Sequence, residues 1–184
     1  MRSREKGIRQ VLDFWFAEGR EEQWFVRSDR FDAEVAEALG PWHRSAREGR
    51  LESWRTSAEG TLALVLLLDQ VPRHLHRGSA EAFACDAQAR ELTRAAIKAS
   101  LDRELTSAQR FFLYLPLEHS EDLADQEKSV ALFSALGDVE GIRYAILHRD
   151  IIARFGRFPH RNTALGRKTT PEEAEFLKQP NSSF

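Results

Sequence analysis

The segment "SAEGTLALVLLLDQ", residues 57–70, decides the fold class of this chain. Its apolar residues occupy every side of a helix, and such a helix lies at the centre of a domain, where neighbouring helices surround it. The apolar run "LALVLLL", residues 62–68, is far too short to cross a bilayer. We therefore predict a buried central helix that carries Asp69 and Gln70 near its end and stops at Pro72.

Helix signals occupy nearly all of the remaining sequence. Apolar residues between Ile8 and Phe16 follow the spacing of one helical face. Starts of further helices are signalled at Ser28, Ser79, "TSAQ" (106–109), Ser120 and "TPEE" (170–173). No hairpin dipeptide separates alternating runs, and no linker is long or low in complexity. The sequence predicts one all-α domain, residues 1–184, of about eight antiparallel helices.

The composition argues against several classes of protein. The chain has 184 residues, of which 42% are hydrophobic, and its four Trp and twelve Phe are too costly to leave in water for a disordered chain. The net charge of −2 gives no strong attraction to nucleic acid or to an acidic membrane. A short basic segment, residues 143–168, has seven Arg or Lys and one acid. We expect neither a nucleic acid nor a membrane as a partner.

Known motifs for metals, cofactors and nucleophiles are missing from the sequence. The single cysteine, Cys85, excludes a disulfide framework and a multi-cysteine zinc site, and it resembles a small buried hydrophobic residue. No H-E-x-x-H, P-loop, dinucleotide or G-x-S-x-G pattern occurs, so we expect no metal and no cofactor. Asp13 interrupts the N-terminal apolar residues before they reach signal-peptide length. These observations predict a soluble cytoplasmic protein.

Three polar segments are expected to meet at the ends of buried helices. They are "DQVPRHLHR" (69–77), "EHSED" (118–122) and "RFPHRN" (157–162). A carboxylate at the end of an apolar helix is costly unless it is paired, and the third segment supplies cations without an acid of its own. Phe155 and Phe158 bracket this third segment, and their burial is expected to hold it against the other two.

The residue types of these segments suit a small anionic ligand that is bound or chemically transformed. Arginine forks match carboxylate and phosphate oxygens, so Arg73 and Arg161 are expected to hold the anion. Imidazole titrates near neutral pH and can serve as an acid or a base. The candidate catalytic residues are His119, His160 and Glu118, and the candidate ligand-binding residues are Asp69, Gln70, Arg73, Arg157, Arg161 and Asn162.

Two other interpretations stay open at this point. The same polar cluster can be a structural staple that joins three loops. The chain can also be a protein-interaction module that uses a concave helical surface and performs no catalysis. A closed cavity with perturbed histidines favours the ligand site, whereas an open apolar groove favours the interaction module. The sequence does not decide whether the protein is an enzyme.

The helix before the third segment raises a separate question. On a helical wheel His148 and Arg149 lie among apolar residues, whereas Asp150 and Arg154 lie on a polar side at i,i+4 spacing. We expect an ion pair between Asp150 and Arg154. His148 and Arg149 are expected either to make structural pairs in the core or to point into a polar cavity.

Several stretches together resemble one known family. They are "VLDFWF" (11–16), "LLLDQVPR" (66–73), "AFACDAQA" (82–89), "RFFLYLPLEHSEDLADQ" (110–126), "RFGRFPHRNTALGR" (154–167) and "TPEEAEFL" (170–177). The chain resembles the bacterial family known as domain of unknown function 924, although Val71 stands where that family usually has Phe. The resemblance implies an all-helical fold similar to tetratricopeptide-type helix stacks. It implies no established activity, cofactor or substrate.

Overall fold

A computed structural model describes residues 2–183, in which every regular element is helical and no strand occurs. The α-helices are α1 (Arg2–Trp15), α2 (Asp29–Arg47), α3 (Ala58–Val65), α4 (Val71–Leu75), α5 (Asp86–Lys98), α6 (Ser107–Glu118), α7 (Leu123–Leu136), α8 (Val139–Phe155) and α9 (Pro171–Phe176). Short 3-10 turns occur at Glu21–Gln23, Glu52–Thr56, Ala80–Phe83, Leu101–Glu104 and Pro159–Arg161. The predicted all-α fold class is confirmed.

The predicted central helix is a continuous rod made of α3, a π-helical turn over Leu66–Gln70, and α4. The prediction that Pro72 stops it is wrong, because the helical path continues to Leu75. In an α-helix a proline ring clashes with the carbonyl four residues earlier. Here the backbone N–H of Val71 donates to the carbonyl of Leu66, five residues back, and this wider turn accommodates the proline.

The rod lies at the centre of the main hydrophobic core, as its composition predicts. Leu62, Val65, Leu66 and Leu67 have 0% exposure. Apolar side chains of α1, α2, α5 and α6 pack around them, among them the fully buried Trp15. Burying one large apolar side chain contributes about 1.5–3 kcal/mol. The surrounding core therefore fixes the position of the polar end of the rod.

Helices α6, α7 and α8 form an antiparallel arrangement beside the rod. Short connections at 119–122 and 137–138 join them, so α6 and α8 both run opposite to α7 and parallel to each other. Gly141 allows α8 to approach closely, because a Cβ there would lie 2.8 Å from Phe133 Cδ1 and 3.1 Å from Phe111 Cε2. The C-terminal halves of α6 and α8 meet where Glu118 Oε1 lies 3.3 Å from His148 Nδ1.

The clearest sequence signals for helix ends are present in the structure. Thr106 with Gln109, and Thr170 with Glu173, form the two predicted capping boxes. Gly156 ends α8 with a φ of 67°, in the left-handed region that glycine enters without a steric penalty.

Two predicted helix starts differ from the structure. Ser79 precedes a 3-10 turn, makes no capping hydrogen bond, and α5 begins only at Asp86. Asp122, rather than Ser120, caps α7. The hydroxyl of Ser120 donates to Asp125 Oδ2 at 2.7 Å and accepts from the backbone N–H of Asp122, one residue before α7 begins, at 3.2 Å.

No helix within residues 2–183 has both the length and the apolarity needed to cross a bilayer. The single-domain assignment and the tetratricopeptide-like stacking of repeats stay predictions.

Candidate functional site

A cavity of about 1130 Å³ opens at the polar end of the rod, beside α6, α8 and the turns Ala80–Phe83 and Pro159–Arg161. Sites for drug-sized ligands have volumes of roughly 300–1,000 Å³, so this cavity has room for an organic molecule. Asn181 and Ser183 also reach its wall. The candidate residues that line the cavity are Gln70, Arg73, Glu118, His119, His160 and Arg161.

Asp69 lies just beneath the cavity wall and has 0% exposure. Its Oδ1 accepts a hydrogen bond from His119 Nδ1 at 2.8 Å, and its Oδ2 accepts one from Gln70 Nε2 at 2.6 Å. Arg73 Nη1 lies 3.3 Å from Oδ1. Burial alone would raise the pKa of Asp69, but the charge of Arg73 and the contact with His119 outweigh it and hold the pKa below its usual range. Asp69 is therefore ionised at neutral pH.

The ionised Asp69 fixes the tautomer of His119. Since a carboxylate only accepts hydrogen bonds, Nδ1 of His119 carries the proton that it donates to Asp69. Burial lowers the pKa of His119 more than the nearby carboxylate raises it, so the ring is neutral at pH 7. Nε2 of this neutral tautomer is an acceptor. An imidazole held in this way by a buried carboxylate can serve as a general base.

Glu118 is a protonated acid at neutral pH. Its side chain is 5% exposed, and its Oε2 has no hydrogen-bond partner within residues 2–183. Burial, and secondly the charge of Asp69, raise the pKa of Glu118 to about 8. His148 does not act as a counter-ion, because burial lowers its pKa to about 3 and its Nδ1 donates to the carbonyl of Tyr144 at 2.8 Å. A buried neutral carboxyl can donate a hydrogen bond or a proton.

Asp86, in the first turn of α5, joins the two candidate anion-binding arginines. Arg73 binds it in a bidentate manner, with Nη1–Oδ1 at 3.1 Å and Nη2–Oδ2 at 3.2 Å, and also donates to the backbone carbonyl of Asp69. Arg161 reaches Asp86 only through a long contact of 3.4 Å between Nη1 and Oδ2. Arg73 therefore has more hydrogen-bond acceptors around its guanidinium than Arg161 has.

Arg161 is a buried cation with too few acceptors. Its side chain is 7% exposed, and its guanidinium lies between the rings of Phe83 and Phe158, at 4.7 Å and 4.5 Å from their centroids. Apart from the long contact with Asp86, the described residues give it no hydrogen bond, and its buried Nε has no partner. Burial, and secondly repulsion from Arg73, lower the pKa of Arg161 to about 10, so it remains charged at neutral pH.

Arg157 and Asn162 hold the loop in place and do not line the cavity. Both side chains bind Glu173, at 2.6 Å and 3.2 Å, and their ligand-binding role stays a prediction. Glu173 is 3% exposed and also accepts from the backbone N–H of Thr170 in the capping box of α9. Glu173, which lies outside the three polar segments, therefore accepts hydrogen bonds from both side chains.

Glu121 ties the same loop to the segment 118–122. It accepts a hydrogen bond from the backbone N–H of Phe158 at 2.8 Å and binds Arg167 through two contacts of 2.7 Å and 3.0 Å. Phe158 has 0% exposure. These contacts fix the turn that places His160 and Arg161 at the cavity. Burial, and secondly the charge of Arg161, lower the pKa of His160 to about 3, so its ring is neutral at pH 7.

His148 lines the cavity, whereas Arg149, the next residue of α8, does not. Arg149 is 34% exposed and pairs with its neighbour Asp150, whose Oδ1 lies 2.6 Å from Arg149 Nε. The expected Asp150–Arg154 pair is replaced by this contact, and Arg154 binds Glu172 at 2.8 Å. Arg149 is therefore not a buried ion-pair residue.

A second Asp–His pair lies beside the same cavity. His74 Nδ1 is 2.7 Å from Asp32 Oδ1, and Arg77 also binds this carboxylate. His74 and Arg77 line the cavity. Within residues 2–183, no group of three or more His, Cys, Asp or Glu side chains is arranged to hold a metal ion.

Sequence reasoning missed several features that build this site. Asp86 lies in ordinary helical sequence that no local motif marks. Glu121 lies in the segment 118–122 and Glu173 in the predicted helix start at 170–173, but their pairing with Arg167 and Arg157 was not predicted. The π-helical turn over Leu66–Gln70 was also missed. Such turns are rare and frequently lie at functional sites, and the proline that follows it is the one local signal.

Comparisons with known proteins give a family and a fold. The model of a family described as bacterial protein of unknown function, DUF924, matches residues 11–181. The chain is similar to a solved protein of unknown function from Agrobacterium tumefaciens, with 40% sequence identity, coverage of 95% of this chain and 98% of that one, and a TM-score of 0.90. A comparison with curated proteins finds no match. The chain belongs to the bacterial DUF924 family of unknown function.

Proposed function

We propose that this protein binds a small organic anion in the cavity at the polar end of the rod and exchanges a proton with it. The observation that carries the proposal is Arg161, a guanidinium that is 7% exposed and makes a single long hydrogen bond to the described residues. A buried charge without acceptors is costly. An anionic ligand would supply the missing acceptors, and the stacking rings of Phe83 and Phe158 hold the guanidinium plane ready for it.

The electrostatics around Arg161 also favour an anion. The positive charges of Arg73 and Arg161 both lower the pKa of His119 and His160, in addition to the effect of burial. Both histidines are neutral at pH 7, so they add no positive charge of their own. Glu118 is protonated at that pH and therefore does not repel an anion. Asp69, which remains ionised, is bound by Arg73, and Arg73 also binds Asp86.

The acid–base part of the proposal is supported by two groups with opposite protonation states. His119 is a neutral base whose Nδ1–H is held by Asp69, and Glu118 is a neutral acid with a buried, unpartnered Oε2. Neighbouring titratable groups whose environments push their pKa values away from their ordinary ranges are typical of sites of proton transfer. In this proposal His119 accepts a proton from the bound ligand, and Glu118 donates one.

The convergence of these groups on one cavity favours the ligand site over a protein-interaction module. The interaction module has some support of its own from exposed apolar side chains, since Phe25 is 65% exposed and Val139 is 77% exposed. Neither residue explains the perturbed acids and histidines at the polar end. We therefore keep the interaction module as an outcome of the experiment.

Acetate is the simplest probe of the proposed anion site, and NMR detects weak binding. In a titration of the isotope-labelled protein, we expect acetate to shift the amide resonances of residues 118–119 and 160–162. Arg161→Met should abolish these shifts. Arg154→Met is the matched control, because Arg154 is exposed and pairs with Glu172 outside the cavity. Equal shifts in wild type and Arg161→Met, or no shift in wild type, would overturn the anion site and leave the interaction module as the better account.

A further inference from the structure

We infer that the natural ligand is a monocarboxylate with an apolar body, and that this body lies along α6 while the carboxylate is held at Arg161. The inference rests on the proposed anion site and names the class of ligand that the site takes. It comes from the shape of the cavity, which continues from its polar end along the helices α6 and α8.

Helix α6 supplies an apolar floor with one polar end. Phe111, Leu115 and Glu118 face the cavity, with Ser107 and Ala108 further towards the N-terminus. These positions are three or four residues apart and therefore lie in one stripe along the helix. Phe111 and Glu118 are separated by roughly 10 Å along the helix axis, at a rise of about 1.5 Å per residue. An anion at the Glu118 end would thus have an apolar surface of that length beside it.

Helix α8 forms a wall that runs in the same direction. Gly141, Tyr144 and His148 line the cavity at helical spacing, and α8 is parallel to α6. The C-terminal end of α6 meets the middle of α8 where His148 lies against Glu118. The apolar part of the cavity therefore lies between two helices, both of which place their polar residues, His148 and Glu118, at the same end.

The loop before α2 contributes an aromatic edge. Trp24 and Phe25 line the cavity. The ring of Phe25 lies 5.9 Å from that of Phe111 and stacks on Phe112 at 6.0 Å, although Phe25 itself is 65% exposed. A large exposed ring at the rim of a cavity is well placed to cover the apolar part of a ligand.

The charges on the cavity wall favour a ligand with a single anionic group. Asp138 and Glu140, at the start of α8, and Arg27 line the cavity; Arg143 binds Glu140 at 3.0 Å, whereas no Lys or Arg among the described residues pairs with Asp138. Asp138 is the N-cap of α8 and its carboxylate accepts from the backbone N–H of Gly141 at 2.6 Å. A second carboxylate on the ligand would meet these acids, so a dicarboxylate is disfavoured relative to a monocarboxylate of the same length.

A series of straight-chain carboxylates tests the inference by calorimetry. For acetate, butyrate, hexanoate and octanoate below their micelle-forming concentrations, we expect affinity to rise roughly fourfold for each methylene that is buried. Suberate, the dicarboxylate with eight carbons, should bind more weakly than octanoate. An affinity that does not change with chain length would overturn the inference that the ligand has an apolar body. In that case acetate binding that still requires Arg161 would leave the anion site intact.

A pair of neighbouring variants locates the apolar body. Phe25→Ser removes the aromatic edge and should weaken octanoate binding severalfold while leaving acetate binding unchanged. Val26→Ser is the control, because Val26 is 59% exposed but does not line the cavity. Equal octanoate affinity in wild type and Phe25→Ser would overturn the placement along α6. Octanoate binding that is unaffected by Arg161→Met would instead overturn the proposed anion site.

Discussion

Replacing Arg161 by Met should stabilise the protein in the absence of a ligand, which is the opposite of the usual result for a buried arginine. Removing one partner of a well-formed buried ion pair typically costs about 3–5 kcal/mol. Arg161 is different because Asp86, its one ionic partner among the described residues, keeps the bidentate contact with Arg73 after the change.

The magnitude follows from the pKa of Arg161, which burial and the charge of Arg73 lower from 12.5 to about 10. A displacement of that size corresponds to roughly 3 kcal/mol of unfavourable free energy for the charged form. Loss of stacking on Phe83 and Phe158 offsets part of the gain, by about 1–2 kcal/mol. We therefore expect the free energy of unfolding of Arg161→Met to rise by roughly 1–2 kcal/mol in urea denaturation at pH 7.

Arg73→Met is the matched comparison, because Arg73 is the neighbouring cation and no other Lys or Arg among the described residues pairs with Asp69. Asp69 has 0% exposure and would lose the cation that keeps it ionised, so this variant should lose about 3–5 kcal/mol. A loss of more than about 1 kcal/mol in Arg161→Met would refute the reasoning, since Arg161 would then be a satisfied structural residue.

Three further predictions test the neighbouring groups. The pKa of Glu118 is raised from 4.5 to about 8, so between these pH values the folded state holds an extra proton and the free energy of unfolding falls as the pH rises. Relative to wild type, the free energy of unfolding of Glu118→Gln should therefore rise by up to roughly 4 kcal/mol from pH 5 to pH 8 in urea titrations. An equal pH dependence in the two proteins would contradict this. Asp69→Asn should lower the pKa of His119 further and release its fixed Nδ1–H tautomer, as seen in ring ¹⁵N shifts, whereas an unchanged tautomer would show that Asp69 does not set it. Glu173→Gln should reduce the amide hydrogen-exchange protection of residues 158–162 and leave α6 protected, because Glu173 binds Arg157 and Asn162 of that loop. Equal loss of protection in the loop and in α6 would show that Glu173 stabilises the whole fold.

The parts of the fold that were predicted correctly depend on local sequence. The apolar segment that ends at Asp69 can bury all of its sides only at the centre of the molecule. The capping box at Thr106 involves residues only three positions apart. The end of the central helix was mispredicted because the effect of Pro72 depends on the hydrogen-bond register before it, which a local proline rule does not contain.

Pairing of the long polar side chains in the site could not be predicted in the same way. The sequence shows that the loop at 157–162 is rich in donors, but Arg157 and Arg161 differ only in the acids that tertiary packing brings to them. Glu173 reaches Arg157 from α9, and Asp86 reaches Arg161 from α5, over a separation of 75 residues. Which guanidinium is left short of acceptors is therefore a property of the assembled fold.

The central claim, that Arg161 binds the carboxylate of an organic ligand, is tested most directly by crystals soaked with 4-bromobenzoate. The bromine locates the apolar body by anomalous scattering, and the carboxylate oxygens show their partners. We predict a bromine peak between α6 and α8 and a carboxylate oxygen within hydrogen-bond distance of the Arg161 guanidinium. A cavity without bromine in fully soaked crystals, or a carboxylate bound away from Arg161, would contradict the account.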